Sequence, residues 1–400
     1  MQDFSTIVRP ESVEELPSGV SAALVDASNE FAADLWHRFR LKEGNFAVSP
    51  ASVSLALAMT WAGARGETAD QMAEVLHFEG REGIHEAATA LLYRWNNPDR
   101  TTYDLRVVNR LFGEQIYSFK KQYLELVRRR YGAPLECVDF RNAPERSRTK
   151  INAWIKTQTA ERIRSLLSPG AVNSLTRLIL TNAVYFLGRW AQPFQEDATR
   201  DAYFHSAAGS NLVPTMHQTD GFLYSETGDL RLLEMPYRGG DFAMTVLLPR
   251  AMNGLKSLEE QISRRALDRW LAGLRRESVE VSLPMFTIDP AASICLAPIL
   301  VEMGMPLAFD QGSADFTGIA EPPDPQDRLF IEEVVHKSFV KVDESGTEAV
   351  GATAVLCLAG AALHPPEPKL FRADHPFLFL IRDIRSRMIL FVGRVTDPRA

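Results

Sequence analysis

Catalytic motifs are missing from this chain of 400 residues, although its composition is that of an ordinary folded protein. It contains no G-x-S-x-G elbow, no Walker A glycine loop and no C-x-x-C pair. No second histidine follows His85 and Glu86 at the spacing of a zinc site, so this pair is predicted to lie on a helix surface. These absences favour a binding or inhibitory protein over an enzyme, and one that needs neither a metal nor another cofactor.

Cysteine is scarce, with three residues in the whole chain, and this low odd number excludes a disulfide framework. We expect Cys137 and Cys295 to be buried small apolar residues, and Cys357 to be a free thiol in an exposed loop. There is no Asn-x-Ser/Thr acceptor, and Met1–Ser5 lacks the basic start of a signal peptide. The chain as given predicts a cytoplasmic, reducing or prokaryotic setting, and an extracellular one if a leader has been trimmed.

Long apolar runs and a positive net charge are also absent. No stretch approaches the roughly 20 apolar residues that a membrane span needs. The formal net charge of −7 disfavours nucleic-acid binding. The basic cluster Arg128–Arg130 predicts a solvated helix face in preference to a polyanion site. We therefore expect neither a membrane nor a nucleic acid as a partner.

No linker rich in proline, glycine or serine divides the chain, which predicts a single domain at residues 21–400 after a loose segment at 1–20. Helical patterns come early and strand-like runs late, which favours an α+β fold over regular βαβ alternation. The predicted helices are Leu24–Phe39, a buried helix capped by Ser49, a helix with a Thr68/Gln71 capping box, and Ile151–Leu167. The predicted strands are Leu178–Phe186, Phe242–Leu248, Val279–Leu283, Leu329–Val342, Phe377–Ile381 and Met388–Val395.

The most informative segment is Glu344–Leu356, which is made of small residues and is followed by no proline before Pro365. Its alternate positions would share one face of a strand, and none of them is charged: Thr347, Ala349, Gly351, Thr353 and Val355. The charge of Glu348 falls on the opposite face. Proline would remove a ladder donor and forbid a central strand. The segment can therefore be a solvated loop in one state and a buried strand in another.

With its flanks, this segment resembles the reactive loop of the serpins, and the resemblance extends from about Leu24 to Pro398. The matching blocks, in family order, are Asn45–Ser52, Thr181–Phe186 with Gly188, Trp190 and Phe194, Leu233–Tyr237 with Val246–Pro249, Phe309 and Asp310 with Ala314–Ile319, His336 and Lys337 with Asp343–Ala349, and Ala373–Phe379. The resemblance implies an α+β serpin fold with three β-sheets, about eight or nine helices and an exposed reactive loop at about 344–368.

The resemblance also implies a function, that of a prokaryotic-type inhibitory serpin. A target serine protease would cleave the loop and stay attached as an acyl-enzyme, while the freed loop inserts into the central sheet. Serpin loop insertion is an established example of strand addition and of stored strain, and we apply it without deriving it. We expect a monomer that can polymerise by loop–sheet contacts. The main alternative is a non-inhibitory carrier or chaperone. A hydrolase is a third possibility, less favoured because the chain lacks catalytic motifs.

Two groups of site residues follow from the resemblance. The hinge of the loop comprises Glu344, Gly346, Thr347, Ala349, Gly351 and Thr353. The sheet-opening cluster comprises Ser49, Ser52, Asn182 and His336, with Trp190 where the loop first inserts. One departure concerns Glu344, because Leu283 and Pro284 are followed by Met285 and not by the lysine that pairs with this glutamate in many serpins. We expect either another basic partner for Glu344 or a labile sheet.

Family spacing from Glu344 puts the cleaved bond at Gly360–Ala361, with Leu358, Ala359 and Leu363 as alternatives. No lysine or arginine lies between Lys341 and Lys369, so the loop offers nothing to the charged pocket of a trypsin-like protease. The apolar run favours an elastase-, subtilisin- or chymotrypsin-like target. A papain-like cysteine protease is the second choice.

Overall fold

The computed structural model describes residue 10 and residues 18–80, 82–97, 101–322, 324, 328–347 and 367–399. Its α-helices are α1 (Ser18–Phe39), α2 (Pro50–Trp61), α3 (Gly66–Val75), α4 (Ile84–Trp95), α5 (Lys121–Tyr131), α6 (Pro144–Gln158), α7 (Leu255–Gln261), α8 (Arg264–Ala272) and α9 (Ala297–Met303). Short 3-10 turns lie at Glu196–Ala198 and Pro306–Phe309.

The strands in the described residues are β1 (Phe46–Val48), β2 (Tyr103–Glu114), β3 (Leu135–Val138), β4 (Leu178–Arg189), β5 (Arg200–Ser206), β6 (Gly209–Glu226), β7 (Leu230–Pro236), β8 (Phe242–Pro249), β9 (Arg275–Pro284), β10 (Phe286–Ile288), β11 (Ile294–Cys295), β12 (Val335–His336), β13 (Val340–Asp343), β14 (Gly346–Thr347), β15 (Lys369–Arg372), β16 (Phe377–Asp383) and β17 (Ile389–Val395). Most predicted strands are confirmed and extend a few residues further at their ends.

The strands form three sheets, as the resemblance implies. A nine-stranded sheet has the order β1-β17-β16-β8-β7-β6-β9-β15, with β5 beside β6. A six-stranded sheet, called the central sheet below, has the order β10-β13-β14-β4-β2-β3. The third sheet pairs β11 with β12. With nine α-helices in the described residues, the expected α+β architecture is confirmed.

Helix α2 lies in the core and supports the central sheet. The Ser49 Oγ caps it by accepting the Ser52 N–H at 3.2 Å, and Pro50 occupies the first turn, where its missing N–H costs nothing. Its side chains are buried nearly all round, and it packs between β4 and β17. The predicted cap and the predicted burial of this helix are both confirmed.

The predicted capping box at Thr68 and Gln71 is wrong. Helix α3 begins at Gly66 without a side-chain cap, and Thr68 lies inside it. The Thr68 hydroxyl accepts the Asp315 N–H at 3.0 Å, and the Gln71 amide oxygen accepts the Leu307 N–H at 3.1 Å. Both side chains therefore accept hydrogen bonds from backbone N–H groups that are distant in the sequence. Local residue spacing does not reveal such tertiary contacts.

The predicted helix Ile151–Leu167 and strand Leu329–Val342 are both shorter than expected. Helix α6 starts earlier and stops at Gln158, since Ala160 and Glu161 adopt φ of 48° and 66°, which a right-handed helix does not allow. The strand is present only as β12 and β13, and the residues before β12 have no ladder partner among the described residues. The second difference defines the cleft described below.

Both described cysteines are exposed, so their predicted burial is wrong. Cys137 lies on β3, at the edge of the central sheet, and Cys295 lies on the two-residue strand β11. An edge strand has one uncovered side, which periodicity alone does not indicate. Cys357 lies outside the described residues. Helix α1 begins at Ser18, inside the segment predicted to be loose, whereas residues 1–9 and 11–17 are not described.

His85 differs from its predicted place on a helix surface. It is half-buried, its Nδ1 lies 2.6 Å from the Tyr131 hydroxyl, and burial lowers the pKa of its imidazole. Its ring also lies against Trp61, with the centroids 5.5 Å apart. Glu86 pairs with Arg130, at 2.9 Å, in the last turn of α5.

Asn152 supports the chain that follows α6 and provides a test of this packing. Its amide oxygen accepts the N–H groups of Leu166 and Leu167, and its Nδ2 donates to the Leu167 carbonyl at 2.9 Å. Asn152→Ala orphans these buried groups, so we expect the free energy of unfolding to fall by about 1–3 kcal/mol. Asn142→Ala, at an exposed site, is the control and should change it by less than about 0.5 kcal/mol. Equal urea midpoints for both variants would contradict this role.

Candidate functional site

Within the described residues, the central sheet lacks a strand along much of one edge of β4. Strand β4 is paired to β2 along its first edge, from Leu178 to Gly188. On its second edge, the pairing in the described part of the chain is at Gly188 and Arg189, where the two residues of β14 lie between β4 and β13. Below β14, the described residues provide no strand opposite β4. A backbone edge of this kind is a template for another strand.

The space beside that edge is a cleft with a cavity volume of about 150 Å³. Its walls are residues 175–182, at the start of β4, and residues 328–336, and its floor is α2. We call this space the insertion cleft. The floor is mostly apolar and is formed by Val53, Ala56, Leu57, Phe316 and Ile319, with Ser52 and Thr60. A cleft with a free backbone edge and a largely apolar floor suits a strand with small uncharged residues on its inner face.

The hinge lies further along the same edge of β4, beyond the residues that line the cleft, because Gly346 and Thr347 form β14 beside Arg189 and Gly188. Gly346 pairs with Arg189 on one side and with Asp343 on the other. Its φ of 153° disfavours other residues, and an added Cβ would lie 2.1 Å from the Gly188 carbonyl oxygen. The backbone therefore approaches β4 too closely for any side chain at position 346.

Trp190 contacts the residues that lead into the hinge. Its indole Nε1 donates to the Asp343 carbonyl at 3.0 Å, and its backbone N–H donates to the Ser345 carbonyl at 2.9 Å. The Phe194 N–H donates to the Glu344 carbonyl, also at 2.9 Å. The structure thus brings Trp190 to the hinge and away from the rest of the sheet-opening cluster.

Glu344 accepts a hydrogen bond from the Thr199 hydroxyl at 2.8 Å. Neither a replacement lysine nor an arginine pairs with its carboxylate among the described residues. The neighbouring Asp343 does have a basic partner, Lys341, at 3.0 Å. A neutral hydroxyl thus occupies the place where a basic partner was expected for Glu344.

The sheet-opening cluster lies at the end of the cleft nearest β14, where Asn182 and His336 end the two walls, and it forms two branches. In the first, the Ser52 hydroxyl donates to the Asn182 side-chain oxygen, and the Asn182 Nδ2 donates to the Asn109 Oδ1 at 2.6 Å. In the second, the Nε2 of His336 accepts the Ser49 N–H at 3.0 Å and lies 2.8 Å from the Ser338 hydroxyl. The predicted four residues are thus neighbours around one cleft, although His336 belongs to a separate branch.

Several site residues were missed by the sequence reasoning. Asn109 and Ser338 complete the two branches, Thr199 holds Glu344, and Tyr237 contacts the hinge. The only sequence signal for Tyr237 was its place in the family block Leu233–Tyr237. The remaining hinge residues Ala349, Gly351 and Thr353 lie outside the described residues, as do Leu358, Ala359, Gly360, Ala361 and Leu363. In the described ranges, no cluster of three His, Cys, Asp or Glu side chains is placed to bind a metal, and no helix could span a membrane.

His336 makes the cluster sensitive to pH. Burial lowers the pKa of its imidazole from 6.5 to about 4, so the folded protein keeps the ring neutral. The unfolded chain takes up a proton near pH 6.5, as an unperturbed histidine does. The stabilisation that depends on the neutral ring is therefore complete above about pH 6.5 and is lost as the pH falls toward 4.

We expect His336 to account for about 3 kcal/mol of lost stability between pH 6.5 and 4. In His336→Gln the side-chain oxygen can accept the Ser49 N–H but does not titrate, so this share of the loss should disappear. Urea unfolding of both proteins across this pH range measures the difference. Parallel stability profiles would contradict the assignment.

The Thr199 contact predicts the behaviour of the hinge glutamate. Thr199→Val removes the hydroxyl and should lower the unfolding free energy by about 1 kcal/mol and speed loop–sheet polymerisation, whereas Thr199→Ser should behave like the wild type. Thermal melting and native gels after heating measure the two effects. Unchanged thermal stability in Glu344→Ala, without faster polymerisation, would show that the Thr199 contact does not replace the missing lysine.

Comparison with known proteins agrees with this geometry. A family model described as "Serpin (serine protease inhibitor)" matches residues 26–398. An uncharacterized serpin-like protein of Thermococcus kodakarensis is 39% identical over 385 residues, which cover 96% of this chain and 88% of that protein. The leukocyte elastase inhibitor of Equus caballus is 39% identical over 386 residues, which cover 94% and 99%. Serpin48 of Tenebrio molitor, a solved structure, is similar with a TM-score of 0.82 at 34% identity, and the match covers 96% of this chain and 100% of that one. The chain therefore belongs to the serpins, a family of serine protease inhibitors, and is not an enzyme.

Proposed function

We propose that this protein is an inhibitory serpin that traps a serine protease as a covalent acyl-enzyme. The observation that carries the proposal is the insertion cleft beside the start of β4, together with β14, which pairs with the end of the same edge of β4. Residues 348–356 continue directly from β14 and have no charge on the alternate positions that would face the floor of the cleft. The loop therefore needs only to extend a pairing that has begun.

The free energy of this extension is large enough to drive trapping. A strand of about a dozen residues adds ladder hydrogen bonds worth about 0.5–1.5 kcal/mol each. Their sum is on the order of 10 kcal/mol, similar to the stability of a whole domain. A protease attached to the loop would move with it, and the distortion would halt deacylation.

The covalent step is ordinary acyl transfer. The serine hydroxyl of the protease attacks the carbonyl carbon of Gly360, and its proton passes through the protease's histidine to the departing Ala361 nitrogen. The peptide bond breaks and Gly360 becomes an ester of the protease. We assign the cut to Gly360–Ala361, with Leu358, Ala359 and Leu363 as the alternatives. The loop from about 344 to 368 is then in two pieces: the piece that ends at Gly360 is anchored at β14 and carries the protease, and the piece that begins at Ala361 leads into β15.

We propose an elastase-, subtilisin- or chymotrypsin-like target. The loop has no lysine or arginine between Lys341 and Lys369, and one similar protein is named a leukocyte elastase inhibitor. A papain-like cysteine protease is the second choice, because its acyl-thioester could be trapped by the same motion. We further propose a monomer that polymerises by loop–sheet contacts, with no nucleic acid or membrane as a partner.

The setting is also a proposal. We propose a prokaryotic-type member that acts in the cytoplasm, with an extracellular setting as the alternative. The archaeal relative supports the first part, although the horse relative shares the same 39% identity. A single domain at 21–400 stays a prediction.

The direct test is to mix the protein with elastase, subtilisin, chymotrypsin and trypsin and to run denaturing gels. We expect a stoichiometric adduct with one of the first three and a released peptide that begins near Ala361 by mass spectrometry. Cleavage without an adduct, or no cleavage, would contradict inhibition and support the carrier or chaperone alternative.

A charge at Thr347 tests the insertion mechanism. Thr347 is buried in β14, so Thr347→Arg would place a guanidinium in the sheet and slow insertion. We expect the variant to be cleaved as a substrate with little adduct. Glu348→Arg is the matched control, because position 348 falls on the opposite face, and it should still form the adduct. Full inhibition by Thr347→Arg would exclude insertion at this position.

A further inference from the structure

Thr347 is held by a residue that neither the motifs nor the family description assigns to the hinge. The Tyr237 hydroxyl lies 2.6 Å from the Thr347 Oγ1, and both side chains are buried, with 0% and 2% of their surface exposed. Thr347 belongs to β14, the short strand that the hinge forms beside β4. Its hydroxyl is therefore a side-chain group of the hinge that is bonded inside the sheet.

The ring of Tyr237 is fixed in place by its neighbours. It stacks on Trp190, with the centroids 4.7 Å apart and the planes at 8°, and it meets Phe186 edge to face, with the centroids 4.9 Å apart. An added Cβ at Gly188 would lie 2.7 Å from the ring, so this glycine makes room for it. The hydroxyl is thus presented at one position, and the hinge has to come to it.

The backbone around Tyr237 joins the two large sheets at this point. The Ala191 N–H donates to the Pro236 carbonyl at 2.9 Å, and the Arg238 N–H donates to the Arg189 carbonyl at 2.8 Å. The end of β4 is therefore hydrogen-bonded to the end of β7. Tyr237 thus lies on a junction that both large sheets share.

A buried phenol needs a hydrogen-bond partner. Burial raises the pKa of Tyr237 far above its usual value, so the group stays neutral and keeps its proton for donation. Thr347 offers the matching hydroxyl, and serine would offer the same group. Valine has nearly the same shape as threonine but would leave the phenol unsatisfied.

We propose that Tyr237 is a positioning residue for loop insertion, which binds the hydroxyl of Thr347 as the first inserted side chain and selects threonine or serine at this position. This inference rests on the proposed inhibitory function. The Tyr237–Thr347 hydrogen bond stabilises the inserted hinge while the rest of the cleaved loop enters the sheet. Without this bond, insertion is slower and more acyl-enzyme is hydrolysed before trapping. More inhibitor molecules are then consumed per protease inactivated.

The test uses variants that keep the shape of the site. Tyr237→Phe retains the stacked ring and loses the hydroxyl, and Thr347→Val retains the branched side chain. We expect each to raise the stoichiometry of inhibition about three- to tenfold, the double variant to be no worse than either, and Thr347→Ser to match the wild type. Tyr224→Phe is the control, since this buried tyrosine bonds Glu226 at a distance from the hinge and should change nothing.

Hydrogen exchange of the Gly346 and Thr347 amides separates this inference from the proposed function. Tyr237→Phe and Thr347→Val should speed that exchange about three- to tenfold in the free protein, even if no protease adduct ever forms. If the wild type forms no adduct, the proposed function is overturned. The exchange rates of the two variants would then decide whether Tyr237 positions the hinge. Wild-type exchange in both variants, or additive effects in the double variant, would overturn the role of Tyr237.

Discussion

The edge of β4 that lacks a partner strand among the described residues is the constraint on which the rest of this structure depends. One edge is bonded to β2 from Leu178 to Gly188, whereas the other, in the described part of the chain, meets β14 at Gly188 and Arg189. Unpaired backbone in the middle of a sheet is unfavourable, because its polar groups lack the partners that a ladder provides. The protein therefore holds a site for one more strand, and its own loop begins where that site begins.

The remaining features lie along this edge of β4. At its end, Trp190 and Tyr237 form hydrogen bonds to the hinge, and Gly346 fits because it has no side chain. Nearer the start of the strand, the Ser52–Asn182 branch and the His336 branch satisfy polar groups that face the cleft. The two branches meet at the start of α2, where the Ser49 Oγ accepts the Ser52 N–H, so one helix terminus supports polar groups on both walls of the cleft.

The sequence was sufficient for features set by local pattern and insufficient for those set by distant contacts. The cap at Ser49 and most strands were predictable from turn residues and periodicity. The predicted strand at Leu329–Val342 was too long, because an apolar run indicates burial but not whether a partner strand is present. Local spacing also fails to show that Thr68 forms a hydrogen bond with a remote segment. The hinge and cluster residues were identified through family resemblance. The contacts of Thr199 and Tyr237 with the hinge were visible only in the tertiary structure.

The central claim is that the cleaved loop becomes the missing strand beside β4. Hydrogen exchange of the backbone amides of residues 178–182 and 328–336, measured before and after loop cleavage by a trapped protease, tests it most directly. The account predicts strong new protection of both segments, because the inserted strand would pair with each. Unchanged exchange in both segments, with the adduct formed, would show that trapping occurs without insertion into this cleft.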